Sequence, residues 1–147
     1  GRVMVPKIVR RIERSNGETI REIEPEVRHE LEIPAEDLAV VREGLRRVVN
    51  TPGGTAYGKR LDRFEVAGKT GTAQVAKLGA DRRRSRDAEW KLRDHAWFAA
   101  YAPVDDPKVA VVVFNEHGGG GSSSAAPIAM KVIRAWADLF HPEVAQR

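Results

Sequence analysis

The chain has 147 residues and no cysteine, and Lys and Arg outnumber Asp and Glu by 25 to 21. The length fits one domain or part of a larger one, and the missing cysteines exclude disulfides, thiolate metal sites and a cysteine nucleophile. At 41% hydrophobic and 31% charged the composition is globular, and a net charge of +4 is too small to argue for nucleic acid.

The opening Gly1-Arg2-Val3 in place of Met reads as a processed product or a cloned fragment, and no charged-then-apolar leader follows. Residues 3–27 read as a β-hairpin. Val5, Ile8, Val9 and Ile12 lead into Ser15-Asn16-Gly17-Glu18, and Ile20 and Ile23 follow. Asn-Gly predicts a type I′ turn, with positive φ at both residues. Arg10, Arg11, Glu13, Arg14, Arg21, Glu22 and Glu24 make the hairpin a partly exposed flap. Residues 34–49 read as a helix, with Pro34 in the first turn and Glu36 and Asp37 complementing its dipole. Leu38, Val41, Leu45, Val48 and Val49 form its apolar stripe, and Asn50-Thr51-Pro52-Gly53-Gly54 ends it.

A strand is predicted from about Phe64 to Ala76, then a charged loop over 77–94 holding Arg82, Arg83, Arg84, Arg86, Lys91 and Arg93. A loop of that length is functional or disordered in most compact domains, and trypsin sensitivity is expected at 78–93. His95 to Ala102 reads as a second strand and Lys108 to Asn115 as a third, with a turn at Pro103 to Pro107. The third is apolar on both faces, which predicts a central place in a sheet covered on both sides. Its run from Val109 to Phe114 is the longest strongly apolar stretch, far short of the roughly 20 residues of a membrane span. Gly118 to Ser124 reads as a flexible connection. A last helix over 125–140 is predicted to bury Ile128, Val132, Ala135, Trp136 and Leu139. Trp97 and Trp136 are expected in the core. The outline is α+β: an antiparallel sheet of three C-terminal strands with a C-terminal helix packed across it, preceded by a β-hairpin and a helix.

Several motifs fail on inspection. Gly68-Lys69-Thr70 resembles the end of a P-loop, but Arg63 stands where the first glycine is required. Gly53 to Lys59 has both glycines and the lysine, but Arg60 replaces the Ser or Thr. His29, His95, His117 and His141 have no metal-pair spacing, so no metal and no cofactor is expected. The acids Asp81, Asp87, Glu89 and Asp94 dilute the arginine run, and no nucleic-acid partner is expected.

Lys69-Thr70-Gly71 on a strand, followed by a charged loop, two more strands and a helix, resembles the third motif of the penicillin-recognising serine acyltransferases. The likeness extends to Gly44–Ala56, with its Gly53-Gly54-Thr55-Ala56 turn, to Val66–Gln74, to His95–Pro103 and to Val111–Gly121. These segments resemble the class B penicillin-binding proteins, in particular the penicillin-binding protein 2 subgroup. The resemblance covers roughly residues 3–140 and implies a partial penicillin-binding/transpeptidase fold. It implies a peptidoglycan D,D-transpeptidase working through a serine acyl-enzyme. Residues 1–147 would be the C-terminal portion of its transpeptidase domain. It also implies β-lactams and the peptidoglycan stem peptide as partners, at the outer face of the bacterial inner membrane, with the anchor elsewhere. Lys69 would supply a cation for the terminal carboxylate, and Thr70 and Thr72 hydroxyls. Gly71 would let the substrate backbone lie flat, and the Thr72 backbone N–H would serve the oxyanion hole.

One departure stands out. The chain's serines are Ser15, Ser85, Ser122, Ser123 and Ser124, and none has a lysine three residues on. Ser-x-Asn is missing as well. The chain alone is therefore expected to form no penicilloyl adduct. The Val109, Val111 and Val113 edge, lacking the family's N-terminal strand, is expected to drive self-association. A different reading is a non-catalytic basic binding module using the 82–93 loop.

Overall fold

The computed structural model describes residues 1–75 and 89–145. The chain divides into two units, Gly1–Val40 and Val41–Arg147. The division falls within helix α1, Ala35–Asn50.

The first unit holds a β-arm. Strand β1, Arg2–Met4, pairs antiparallel with β4, Val27–Glu30. Strand β2, Arg11–Glu13, pairs with β3, Thr19–Glu22. Both pairs slip register, at Val3/Met4 and at Ile12/Glu13. Isolated bonds connect them: Val5 N–H to the Glu26 carbonyl at 2.8 Å and Ile23 N–H to the Arg10 carbonyl at 2.9 Å. The hairpin of 3–27 is thus a longer arm, broken into two short ribbons.

Its turn also differs from the type I′ expectation. Gly17 has φ +87°, while Asn16 stays out of the left-handed region. Arg14 N–H donates to the Glu18 carbonyl, and Gly17 N–H to the Arg14 carbonyl. This is a three-residue loop closed by a left-handed glycine. The Asn16 side chain explains the change, because its Oδ1 accepts from Glu18 N–H at 3.0 Å.

The second unit holds a three-stranded antiparallel sheet in the order β5-β6-β7. Strand β5 is Ala67–Ala73, β6 His95–Ala102 and β7 Val109–Asn115. Register is unbroken from Ala67↔Tyr101 to Ala73↔His95, and from Ala96↔Asn115 to Ala102↔Val109. The central strand is β6, and the strongly apolar β7 is an edge, contrary to the expectation from its composition. Its residues alternate: Val109, Val111 and Val113 are half-buried, while Val112 and Phe114 are exposed. Trp97 is likewise on the open face, 41% exposed, with its ring 4.5 Å from that of Phe114. Aromatic pairing across neighbouring strands replaces the core position expected for it.

Helix α2, Ala126–Phe140, follows a π-helical turn at Gly121–Ala125. It buries Ala126, Ala129, Met130, Ile133 and Ala137. Of the predicted stripe, Ile128, Val132 and Leu139 are exposed and Trp136 is half-buried against His141. Both sets obey helical spacing. The alanine-rich set wins because short side chains bring the helix close to Phe98, Ala96, Ala100 and Ala102 of β6. Burying Phe98 alone contributes about 1.5–3 kcal/mol. On α1 Val49 is buried, Leu38, Leu45 and Val48 are half-buried, and Val41 is exposed.

Candidate functional site

The end of α1 sets up one side of the site. Arg46 grips Glu43 through two nitrogens, at 2.7 and 3.1 Å, and reaches Glu65 Oε1 at 2.8 Å. Arg47 Nε adds a bond to Glu43 at 2.6 Å. These hydrogen bonds, Arg46 first and Arg47 next, hold the Glu43 carboxyl down to about 2. The Glu43 hydrogen bond and the Glu65 charge push Arg46 upward in turn. Asn50 then ties the helix end to the entry of β5. Its Nδ2 donates to the Arg46 carbonyl at 2.8 Å and to the Val66 carbonyl at 2.9 Å.

The turn after α1 needs its two glycines for different reasons. Gly53 has φ +89°, a left-handed conformation that L side chains rarely adopt. At Gly54 a Cβ would lie 2.4 Å from the carbonyl oxygens of Arg47 and Val48. The chain therefore folds directly back on the helix end, and Ala56 N–H donates to the Val48 carbonyl at 3.0 Å. Thr55 is left exposed between them, with its Oγ1 2.9 Å from Thr70 Oγ1. Ser122, in the π turn before α2, donates its hydroxyl to the Thr55 carbonyl at 2.5 Å.

The Lys-Thr-Gly-Thr segment occupies β5, which among the described residues is an edge strand bonded only to β6. Lys69 is exposed and donates from Nζ to the Thr70 carbonyl at 2.8 Å; among the described residues it has no carboxylate partner. Thr70 is half-buried, and Thr72 is exposed. Gly71 has a packing reason of its own. A Cβ there would lie 3.1 Å from Trp97 Cβ, and a Cβ on Gly121 would lie 2.5 Å from the Gly71 carbonyl oxygen and 2.4 Å from that of Trp97. Two backbones meet here without side chains between them.

The glycine-rich connection expected to be flexible is packed. Gly119 N–H donates to the Asp94 carbonyl at 2.8 Å, and His117 N–H to His95 Nδ1 at 2.9 Å. His117, with φ +52°, places Nδ1 3.0 Å from the Arg93 carbonyl. Its ring contacts those of Trp90 and His95. Of the loop proposed as a basic module, residues 82–88 lie outside the described residues, as does most of the segment expected to be trypsin-sensitive. Among the described residues no group of three His, Asp or Glu side chains is placed to hold a metal ion.

Residues 1–134 match the family model of the penicillin-binding protein transpeptidase domain. The chain belongs to that family. Over 105 residues this family member is 39% identical to the peptidoglycan D,D-transpeptidase MrdA of Haemophilus influenzae, covering 70% of the chain and 16% of that relative. The chain thus spans about a sixth of the length of that curated relative. Penicillin-binding protein 2 of Pseudomonas aeruginosa, solved in complex with WCK 5153, superposes with a TM-score of 0.60 at 33% identity, covering 86% of the chain and 24% of that structure. Penicillin-binding protein A of Mycobacterium tuberculosis, solved as a ceftriaxone acyl-enzyme, matches 100% of the chain and 29% of its own, with TM-score 0.65 and 26% identity. The α+β arrangement is shared with the transpeptidase domains of these penicillin-binding proteins, as the motifs implied.

Within this transpeptidase-family chain, the structure brings Lys69, Thr70, Gly71 and Thr72 onto one strand edge that is unpaired among the described residues. It adds Asn50, Thr55 and Ser122, which carried no assigned role in the sequence. The Gly53-Gly54 pair signals a tight turn after a helix, but nothing in the spacing of Thr55 and Thr70 signals that their hydroxyls meet.

Proposed function

We propose that this chain forms the Lys-Thr-Gly wall of a peptidoglycan D,D-transpeptidase active site, with the nucleophilic serine supplied by sequence outside these 147 residues. The observation that carries the reading is the exposed Lys69 and Thr72, with Thr70 between them, on an edge of β5 that pairs with no strand among the described residues. An edge strand offers alternate backbone N–H groups to an extended peptide, and the ammonium and hydroxyls suit a terminal carboxylate. In this role Lys69 and Thr70 hold the carboxylate of a D-Ala-D-Ala stem peptide or a β-lactam. The Thr72 N–H supports the oxyanion of the tetrahedral intermediate. One such donor contributes about 2.7–4 kcal/mol to transition-state stabilisation.

The relatives named above support this reading, since one is solved as a β-lactam acyl-enzyme. The reaction belongs at the outer face of the bacterial inner membrane. No helix among the described residues is long and apolar enough to cross a membrane. The open edge of β7 takes a further strand of the same domain in the complete protein and a second copy of the chain in its absence. No observation among the described residues favours the basic-module reading.

The test is Lys69→Ala in the complete transpeptidase carrying this segment. Benzylpenicillin acylation should slow by at least tenfold, the loss of one charge-assisted contact of about 1.5–3 kcal/mol, with thermal stability little changed. Rates within a factor of two of wild type would remove Lys69 from the site.

A further inference from the structure

Three hydroxyls that the family motif does not include as a set come together beside β5. Ser122 donates to the Thr55 carbonyl, and the Thr55 hydroxyl lies 2.9 Å from that of Thr70. Three separate segments meet in this way: the turn after α1, strand β5 and the π turn before α2. Thr70 lies in the β5–β6 ladder, but the ladder engages only its backbone and leaves its hydroxyl to Thr55.

We propose that Thr55 is a positioning residue, whose hydroxyl donates to Thr70 Oγ1 and so aims the Thr70 proton at the substrate carboxylate. The inference rests on the carboxylate role given to Thr70 above. A threonine hydroxyl has one proton to give and can accept at its lone pairs. If Thr70 spent its proton on Thr55, it would have none for an anion. Donation from Thr55 leaves the Thr70 proton free, and a hydroxyl that accepts one bond donates a stronger one. The position of Thr55 is held on every side. Gly54 has no room for a Cβ beneath the α1 carbonyls, Ala56 is buried and bonded to Val48, and Ser122 holds the Thr55 carbonyl. A rigidly placed donor fixes the rotamer of its acceptor, so Thr70 need not be ordered by the incoming ligand.

The exposure of Thr55 also excludes a plain packing role, since its methyl group is not part of the core. What Thr55 offers is the oxygen.

The experiment uses the complete transpeptidase carrying this segment, with wild type, Thr55→Val, Thr55→Ser and Lys69→Ala. Second-order acylation constants are measured for benzylpenicillin and for its methyl ester, which lacks the carboxylate charge. Thr55→Val should acylate with benzylpenicillin five- to tenfold more slowly, and Thr55→Ser should recover to within twofold of wild type. With the methyl ester, Thr55→Val and wild type should agree within twofold, because the charge that Thr70 serves is gone. An unchanged Thr55→Val rate with benzylpenicillin overturns the inference. So does an equal loss on both probes, or a serine variant no better than valine, since each marks a merely structural residue. Lys69→Ala separates the two levels: if it slows acylation while Thr55→Val does not, only the positioning role fails. If Lys69→Ala is also unchanged, the carboxylate reading fails and this inference falls with it.

Discussion

The arm of residues 2–30 and the sheet of β5, β6 and β7 are both antiparallel, yet they are held together differently. The arm's strands are three or four residues long, its register slips twice, and most of its apolar side chains, including Ile8, Ile12 and Ile20, are exposed, while Val3, Val5 and Ile23 are only half-buried. The sheet runs seven or eight residues without a slip and closes one face against α2. Register is strongly specified where one face must be buried, because a one-residue slip would turn the apolar set outward. The arm has no buried face to enforce that choice. The contrast separates ladder hydrogen bonds, which both regions make, from burial, which only one has.

The largest expected effect breaks this contrast from the buried side. Phe98→Ala removes the largest fully buried side chain and should cost about 3–5 kcal/mol in urea unfolding. Ile12→Ser on the arm, measured alongside, should stay within about 0.5 kcal/mol of wild type. Comparable losses at the two positions would mean that the arm is buried in solution.

A smaller effect is expected at Gly121. The new Cβ of Gly121→Ala would collide with backbone oxygens of Gly71 and Trp97, which cannot rotate away. Destabilisation of about 1–3 kcal/mol should follow, with loss of amide exchange protection on β5 ahead of β7. Uniform protection across the sheet would show that the backbones do not meet as described.

The smallest effect concerns pH. Glu43 has its carboxyl held at about 2 against an ordinary 4.5. Such a group stabilises the fold fully above its unfolded value, and that contribution is lost as pH falls through about 2. The urea midpoint of Glu43→Gln should therefore lie below wild type at pH 7, and the gap should narrow between pH 4.5 and pH 2. The arm pairs Arg14–Glu18 and Arg11–Glu13 are local and exposed, so charge-neutral variants there should give no comparable gap. A gap at Glu43 that stays constant with pH would contradict the assignment.

How much of this was legible in the sequence depends on the kind of signal. The three C-terminal strands and both helices follow from periodicity and breakers, and β6 lies where its pattern puts it. The Lys-Thr-Gly frame was readable because its residues are contiguous. Composition misled at β7, since Val112 and Phe114 look like core residues but lie on an open face, where Phe114 pairs with Trp97. On α2 two apolar stripes compete at the same period. Only the tertiary need for short side chains against β6 selects Ala126, Ala129 and Ala137. The Asn16-Gly17 turn went astray because the Asn16 side chain took a hydrogen bond in place of a left-handed backbone. Thr55 was invisible as a functional residue because its partner is defined by folding, not by spacing.

The contact between Gly71 and Gly121 has a mechanical consequence. Side chains adjust by moving among staggered rotamers. Peptide resting on peptide has no such adjustment, because its planes are stiff. The π turn before α2 therefore acts as a hard stop behind β5. The strand can bend outward, toward whatever approaches its free edge, but it cannot sink. A ligand pressing on Lys69 to Thr72 meets a surface whose depth is set by covalent geometry and not by the mobility of a core.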